Sequence, residues 1–265
     1  MTVTYDYQGR TVLVTGGTKG IGAGIATRFL AAGADVVVCG RKDPGELPSA
    51  GGRGASFAAA DVRDPDHVAV LVDTVVERHG RLDVVINNAG GSPYAPAAEA
   101  SPRLHARVIE LNLIAPLHVA QAAHRVMAGQ PDGGAIVMIG SVSGSRPSPG
   151  TAAYGAAKAG LHHLAACLAA EWAPAVRVNT VVVGLADTGE GGQGHYGDAG
   201  TLARVNATVP AGRMAVPDDV ARACLFLGSE PYVHGACLEL HGGGEQPAWS
   251  YIVQQHAHPT TTPSP

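Results

Sequence analysis

Tyr154 and Lys158 stand four residues apart in "YGAAK". On a helix that spacing puts both side chains on one face, where their polar heads can meet the same ligand. A tyrosine with its ordinary pKa of about 10 is a poor acid or base near neutrality. A neighbouring ammonium favours the phenolate and brings proton transfer toward the working range. An isolated pair of this kind is as readily a solvated helix face, so a third group matters. Ser141 lies upstream at the end of an apolar run, "AIVMIGS", and the C-terminal ends of strands line the ligand crevice of open parallel sheets. A hydroxyl, a phenol and an ammonium placed together there can hold the oxygen of a carbonyl or an alcohol and exchange a proton with it.

A second constellation opens the chain. In "TVLVTGGTKGIG", residues 11–22, Val12, Leu13 and Val14 read as a short buried strand that runs into Gly16, Gly17, Gly20 and Gly22. Glycines at these positions allow a tight turn and close backbone approach. The helix expected from Ile21 to Ala32 aims its unpaired N–H groups and positive dipole end at whatever sits above the turn, which suits an anion. Thr18 and Lys19 add a hydroxyl and a charge at the same place. The chemistry implied is phosphate binding.

These groups need a scaffold, and the hydrophobic pattern supplies one. Apolar, β-branched runs recur at Thr11 to Val14, Asp35 to Val38, Ala55 to Ala59, Val84 to Ile86, Ala135 to Ile139, Val176 to Val182 and Ala236 to Leu240, with helical stretches between them. Such alternation predicts a parallel sheet covered by helices on both faces. "DPDHVAVLVDTVVERHG" has an Asp cap, a following Pro and a terminal Gly80, good start and stop signals for a helix. "SPRLHARVIELNLIAPLHVAQAAHRVMAG" and "TAAYGAAKAGLHHLAACLAAEWA" read as two further helical stretches. Asp43 to Gly54 reads as a loop. Residues 185–216 read as one long irregular segment, a lid over a ligand. Residues 1–244 are expected to form one domain, followed by a partly disordered tail, 245–265.

Composition narrows the classes. The 265 residues are 46% hydrophobic and 15% charged, with a formal net charge of -4, which describes a folded chain with ample core material. No basic cluster points to nucleic acid. Neither a signal peptide nor an apolar run of the roughly 20 residues needed to span a bilayer is evident, so a cytoplasmic location is expected. Cys39, Cys167, Cys224 and Cys237 are scattered without metal-like spacing and read as reduced thiols. His162-His163 and the terminal His256 and His258 read as helix-face and tail residues, and no metal site is expected.

Together, "TGGTKGIG" at 15–22, "DV" at 61–62, "NNAG" at 87–90, Asn112 in "ELNLIAP", Ser141 in "IVMIGSVSG", "YGAAK" at 154–158 and "GLADT" at 184–188 resemble the short-chain dehydrogenase/reductase family in its compact single-domain branch, from about Gly9 to Gly244. The resemblance implies a Rossmann-like, doubly wound α/β fold with a seven-stranded, mostly parallel sheet and helices on both faces. It implies an oxidoreductase in which Ser141 binds the substrate oxygen, Tyr154 donates or removes its proton, Lys158 holds the nicotinamide ribose and tunes Tyr154, and Asn112 completes a proton relay. Cofactor contacts carried over with it are Gly16, Thr18, Lys19, Gly20, Ile21 and Gly22 at the turn, Asp61 and Val62 at the adenine, and Asn88, Ala89 and Gly90 along the cofactor. Ala186 and Thr188 would meet the nicotinamide carboxamide and the adjoining phosphate.

Dinucleotide sites that select NAD usually place an acidic residue near the end of the second strand. Here that position is Gly40, followed by Arg41, in "VVVCGRK". With no carboxylate to repel a 2′-phosphate and a guanidinium fork beside it, the expected cofactor is NADP(H) in preference to NAD(H). Two positions depart from the family pattern: Val183-Gly184 replaces the common Pro-Gly at the lid entrance, and His241 replaces a common aspartate near the end. The alanine- and glycine-rich helix Thr151 to Trp172 suits close packing in a dimer or tetramer. Pro93, Tyr94, Pro96 and residues 143–149 are the expected pocket walls around a small-molecule carbonyl or alcohol. Alternatives are an NADP(H)-binding sensor without turnover, and reduction of a conjugated double bond, against which the Tyr154 to Lys158 spacing argues.

Overall fold

The protein's structure is a computed structural model that describes residues 3–189 and 199–245. Its central sheet has seven strands, all parallel: β1 (Thr11–Thr15), β2 (Asp35–Gly40), β5 (Ser56–Ala59), β6 (Val84–Asn87), β7 (Gly134–Ser141), β8 (Val176–Val183) and β9 (Cys237–Leu240), in the order β5-β2-β1-β6-β7-β8-β9. The order reverses between β1 and β6, which creates a crevice at the strand C-termini. Strand alternation divides the core. Leu13, Val37, Val85 and Met138 face α2 (Pro65–His79), α4 (Ala115–Met127) and α5 (Ala152–Trp172). Val12, Val14, Val36 and Val38 face α1 (Gly20–Ala31) and α7 (Pro217–Ser229) on the other side.

Local signals explain the boundaries. Asp64 caps α2 by accepting from the Asp66 N–H, Pro65 opens the helix, and Gly80 ends it at φ 75°. Ser101 caps α3 (Pro102–Ile109) in the same way through Leu104 N–H.

Three expectations are corrected. The loop from Asp43 to Gly54 contains a small antiparallel hairpin, β3 (Ser49–Ala50) with β4 (Arg53–Gly54), whose tight turn uses two positive-φ glycines, Gly51 and Gly52. The long helical stretch from Ser101 is not one helix: between α3 and α4 lies a π-turn, Glu110–Ile114, around buried Asn112. The irregular segment 185–216 holds α6 (Ala199–Thr208), after which Val209 and Met214 are buried and Asn206 accepts the Met214 N–H at 2.7 Å. Residues 190–198, within the expected lid, and 246–265, nearly all of the expected tail, lie outside the described residues.

Candidate active site

The glycine-rich turn is built by contacts that leave no room for side chains. Gly16 has φ 61°, and a Cβ there would come within 3.1 Å of Ala89 Cα; one on Gly22 would lie 2.3 Å from the Gly16 carbonyl and 2.5 Å from Asn88 Nδ2. Asn88 joins this turn to the end of β6, donating from Nδ2 to Thr15 O at 2.9 Å and Gly16 O at 3.1 Å. The Thr15 hydroxyl accepts the N–H groups of Asn88 and Ala89, each at 3.0 Å. At the start of α1, Lys19 makes no side-chain cap and the first turn holds no acidic residue. The end of this helix therefore offers its N–H groups to an anion, with Thr18 and exposed Lys19 beside them. Thr188 lies over Gly20, its Cβ 3.7 Å from where a Gly20 Cβ would stand, and Thr18 stands beside Gly40. The segment bearing Ala186 is pinned by a bridge from Ala186 to Ala215 and by Asp187 N–H to Ala215 O at 2.8 Å.

Past the end of β5 lies a charge cluster. Arg63 grips the Asp61 carboxylate through Nε at 2.9 Å and Nη2 at 2.5 Å, and holds its carboxyl down to about 2. Arg41, exposed at the end of β2, adds attraction from farther away. Val62 is buried in the core beside it.

At the other end, helix periodicity brings Lys158 against Tyr154, with Nζ 5.6 Å from the ring centroid. Lys158 is 4% exposed and donates to Ile139 O at 2.7 Å; burial pushes its pKa down to about 8. Gly90 lies beside it: a Cβ there would meet Lys158 Nζ at 3.5 Å and Asn112 Oδ1 at 2.7 Å. The Asn112 amide is fully engaged. Its oxygen accepts Gly91 N–H at 2.9 Å, and its nitrogen donates to Gly91 O at 2.9 Å and Val108 O at 2.8 Å. It thereby fixes the glycines after β6 to the π-turn, a feature that recurs at functional sites. Ser141 ends β7, where its hydroxyl accepts Ser143 N–H at 3.2 Å and caps a 3-10 turn, Val142–Gly144. Across the mouth, Tyr94 is 74% exposed and packs against Gly150.

Two residues near these groups carry no functional role in the sequence reading. His162, read above as a helix-face histidine, points inward, and its Nε2 accepts the Ser141 N–H at 3.3 Å, whereas His163 is exposed. Its position one turn beyond Lys158 was the available signal. Arg63 was signalled only by its place two residues after Asp61.

The parallel sheet carries a glycine-rich turn at one end of its crevice and a buried lysine beside a tyrosine at the other, and similarity to known proteins makes the chain an NAD(P)(H)-using oxidoreductase acting on CH–OH and C=O groups. The comparisons fix the family. A family model described as enoyl-(acyl carrier protein) reductase matches residues 16–244. The cis-4-hydroxycyclohexanecarboxylate dehydrogenase of Sinomonas cyclohexanicum is 37% identical over 246 residues, covering 88% of this chain and 96% of that protein. The 3-oxoacyl-[acyl-carrier-protein] reductase of Chlamydia trachomatis is 34% identical over 249 residues, covering 88% and 96%. The structure of Thermoplasma acidophilum aldohexose dehydrogenase, in ligand-free form, superposes with a TM-score of 0.83 at 29% identity, covering 91% of this chain and 96% of that one. The chain belongs to the short-chain dehydrogenase/reductase family.

Proposed function

We propose that this protein interconverts a ketone and a secondary alcohol with NADP(H), using Tyr154 as the proton-transfer group. The observation that carries the reading is the buried Lys158 ammonium set between the Tyr154 ring, Gly90 and the strand end that bears Ser141. Ser141 Oγ binds the substrate oxygen. Tyr154 Oη gives a proton to that oxygen in reduction and takes it back in oxidation. Lys158 holds the ribose hydroxyls and keeps positive charge beside the phenol. The cofactor, when bound, supplies the hydride. Gly16, Thr18, Lys19, Gly20, Ile21 and Gly22 receive its phosphates; Asp61 and Val62 flank the adenine; Asn88, Ala89, Gly90, Ala186 and Thr188 line the rest. Asn112 shapes this wall through its amide and completes a proton relay to solvent.

NADP(H) preference rests on Arg41 beside Gly40 and on the absence of a carboxylate at that position. Residues 1–244 act as one domain, and the segment 185–216 covers the substrate. The same reading puts the protein in the cytoplasm as a dimer or tetramer packed through α5 and its neighbour; all four cysteines are free thiols, and no helix among the described residues is long and apolar enough to cross a membrane.

The matching family description favours a second reading, reduction of a conjugated double bond. The four-residue Tyr154 to Lys158 spacing and the dehydrogenases and ketoreductase among the relatives weigh against it. The test is NADPH oxidation, followed by absorbance, against cyclic, sugar-like and β-keto thioester ketones and an enoyl thioester. Ketone turnover that falls about 100-fold or more in Tyr154→Phe supports the proposal. Turnover of the enoyl thioester alone supports the second reading, and tight NADPH binding with no turnover at all supports a sensor.

A further inference from the structure

The end of β7 is held in an unusual way. β6 pairs with β7 only as far as Asn87 with Met138, whereas β8 follows β7 to its last residue, Ser141 with Val183. Past Met138 the strand has, among the described residues, a paired neighbour on one side only. Two side chains of α5, one helical turn apart, take up backbone groups there: Lys158 Nζ donates to Ile139 O at 2.7 Å, and His162 Nε2 accepts the Ser141 N–H at 3.3 Å. The imidazole is closely seated. A Cβ on Gly140 would lie 2.5 Å from Nε2, and one on Gly144 would lie 2.8 Å from Cε1. Glycine on both sides of Ser141 thus admits the ring. Accepting at Nε2 requires the neutral imidazole with its proton on Nδ1.

We propose that His162 is a positioning residue for Ser141: as a neutral imidazole it ties the Ser141 amide to α5, setting the hydroxyl against Tyr154 and Lys158, and its protonation releases that tie. The inference rests on the reading of Ser141, Tyr154 and Lys158 as the reacting group. The groups that face the ring are Gly140 and Ser141 from β7, Gly144 from the 3-10 turn and Lys158 from its own helix, with Thr180 of β8 touching the same Gly140 position. Of these only Lys158 is charged. Burial first, and the Lys158 charge second, push the His162 pKa below the ordinary histidine value. The ring is therefore mostly neutral at about pH 7. As pH falls, the imidazolium loses its acceptor and faces the lysine ammonium, so both ties from α5 to β7 weaken together.

The experiment compares His162→Gln, whose amide oxygen can accept but does not titrate, with His162→Leu, which cannot accept. Thermal unfolding confirms that both variants are folded. Using the ketone identified in the panel, His162→Leu lowers kcat about 10- to 100-fold while KM for NADPH is unchanged. His162→Gln recovers most of kcat and flattens the acid limb of the kcat–pH profile. If His162→Leu retains wild-type kcat, or both variants retain the acid limb, the proposal is overturned. A second readout needs no substrate. NMR of the wild-type protein with 13C-labelled histidine, assigned by the signal lost in His162→Gln, shows His162 with its proton on Nδ1 and titrating below about 6.5. A proton on Nε2, or titration at or above that value, overturns the proposal. Should no ketone turn over, the reading of the site fails while this measurement still decides the role of His162.

Discussion

Lys158→Met separates the stability of the fold from its chemistry. Burial lowers the Lys158 pKa from the ordinary 10.5 to about 8. Below about pH 8 both the native and the unfolded chain carry the proton, and the native chain holds a buried ammonium at a cost of about 3 kcal/mol. As pH rises from 8 toward 10.5 the native state releases its proton first, the unfolded chain binds more, and stability rises until that cost is gone. Methionine removes the charge at every pH. It also leaves the Ile139 carbonyl without its 2.7 Å partner, a loss of about 1–3 kcal/mol that does not depend on pH. The net change at pH 7 is therefore small, roughly 0–2 kcal/mol in favour of the variant. Its pH dependence is not small: the variant's advantage over wild type falls by about 2 kcal/mol between pH 7 and 9.5. Urea unfolding of both proteins at matched concentration, repeated across that range, measures the difference and cancels the titration of every other group. Turnover should be lost in the variant at all pH values. Parallel stability profiles for the two proteins between pH 7 and 9.5 would refute the claim that Lys158 is buried at a cost.

Three further outcomes are expected. Arg41→Asp should weaken NADPH binding about 10- to 100-fold, the worth of a charge-assisted contact, and move the ratio of NADPH to NADH affinity toward NADH; an unchanged ratio removes Arg41 from the 2′-phosphate. Asp83 is 6% exposed and accepts from Arg81 Nε at 2.7 Å, Thr11 N–H at 2.8 Å and Arg10 Nη1 at 2.9 Å. Burial raises its pKa, but these partners together outweigh it and hold the carboxyl below its usual range. Its contribution is thus complete above the ordinary carboxylate pKa and is lost as pH falls through the native value; Asp83→Ala should cost about 3 kcal/mol at pH 7 in urea unfolding and leave KM for NADPH unchanged. Gly22→Ala sets a Cβ against the Gly16 carbonyl and the Asn88 amide, which should cost about 1–3 kcal/mol, lower Tm by roughly 2–4 °C per kcal/mol, and abolish NADPH fluorescence enhancement.

What the sequence made legible and what it did not divide along the range of the interactions. Val12, Leu13 and Val14 followed by the glycine turn, and Tyr154 with Lys158, are short-range patterns whose meaning survives in any surrounding structure. The parallel sheet covered by helices also followed, since alternating strands and helices admit few windings. The π-turn at Asn112 did not: "ELNLIAP" has the periodicity of an uninterrupted helix, and only the pull of the Asn112 amide on Gly91 and Val108 distinguishes it. The direction of His162 was equally hidden. "GLHHL" places two histidines side by side, and which of them turns inward depends on Gly140 and Gly144, some twenty residues away in sequence. The helix Ala199–Thr208 was masked by the glycines before it and becomes visible only through the burial of Val209 and Met214.

The places where local rules fail are connected. Asn112 breaks the helix register and, by holding Gly91, sets Gly90 against Lys158. Lys158 remains buried without a carboxylate among its described partners and leans on the carbonyl of Ile139, in the part of β7 that β6 no longer covers. His162 takes the amide two residues further along the same strand. Each departure by itself is destabilising: an interrupted helix, an uncovered strand end, a desolvated charge. Together they close on one another, because the groups one of them leaves unpaired are the partners another requires. A site assembled in this way yields to substitution as a unit, so the effects of changes at Asn112, Lys158 and His162 should be non-additive, with the double variants losing less than the sum of the single ones. Additive losses would mean that the π-turn, the lysine and the strand end are independent features that merely lie close together.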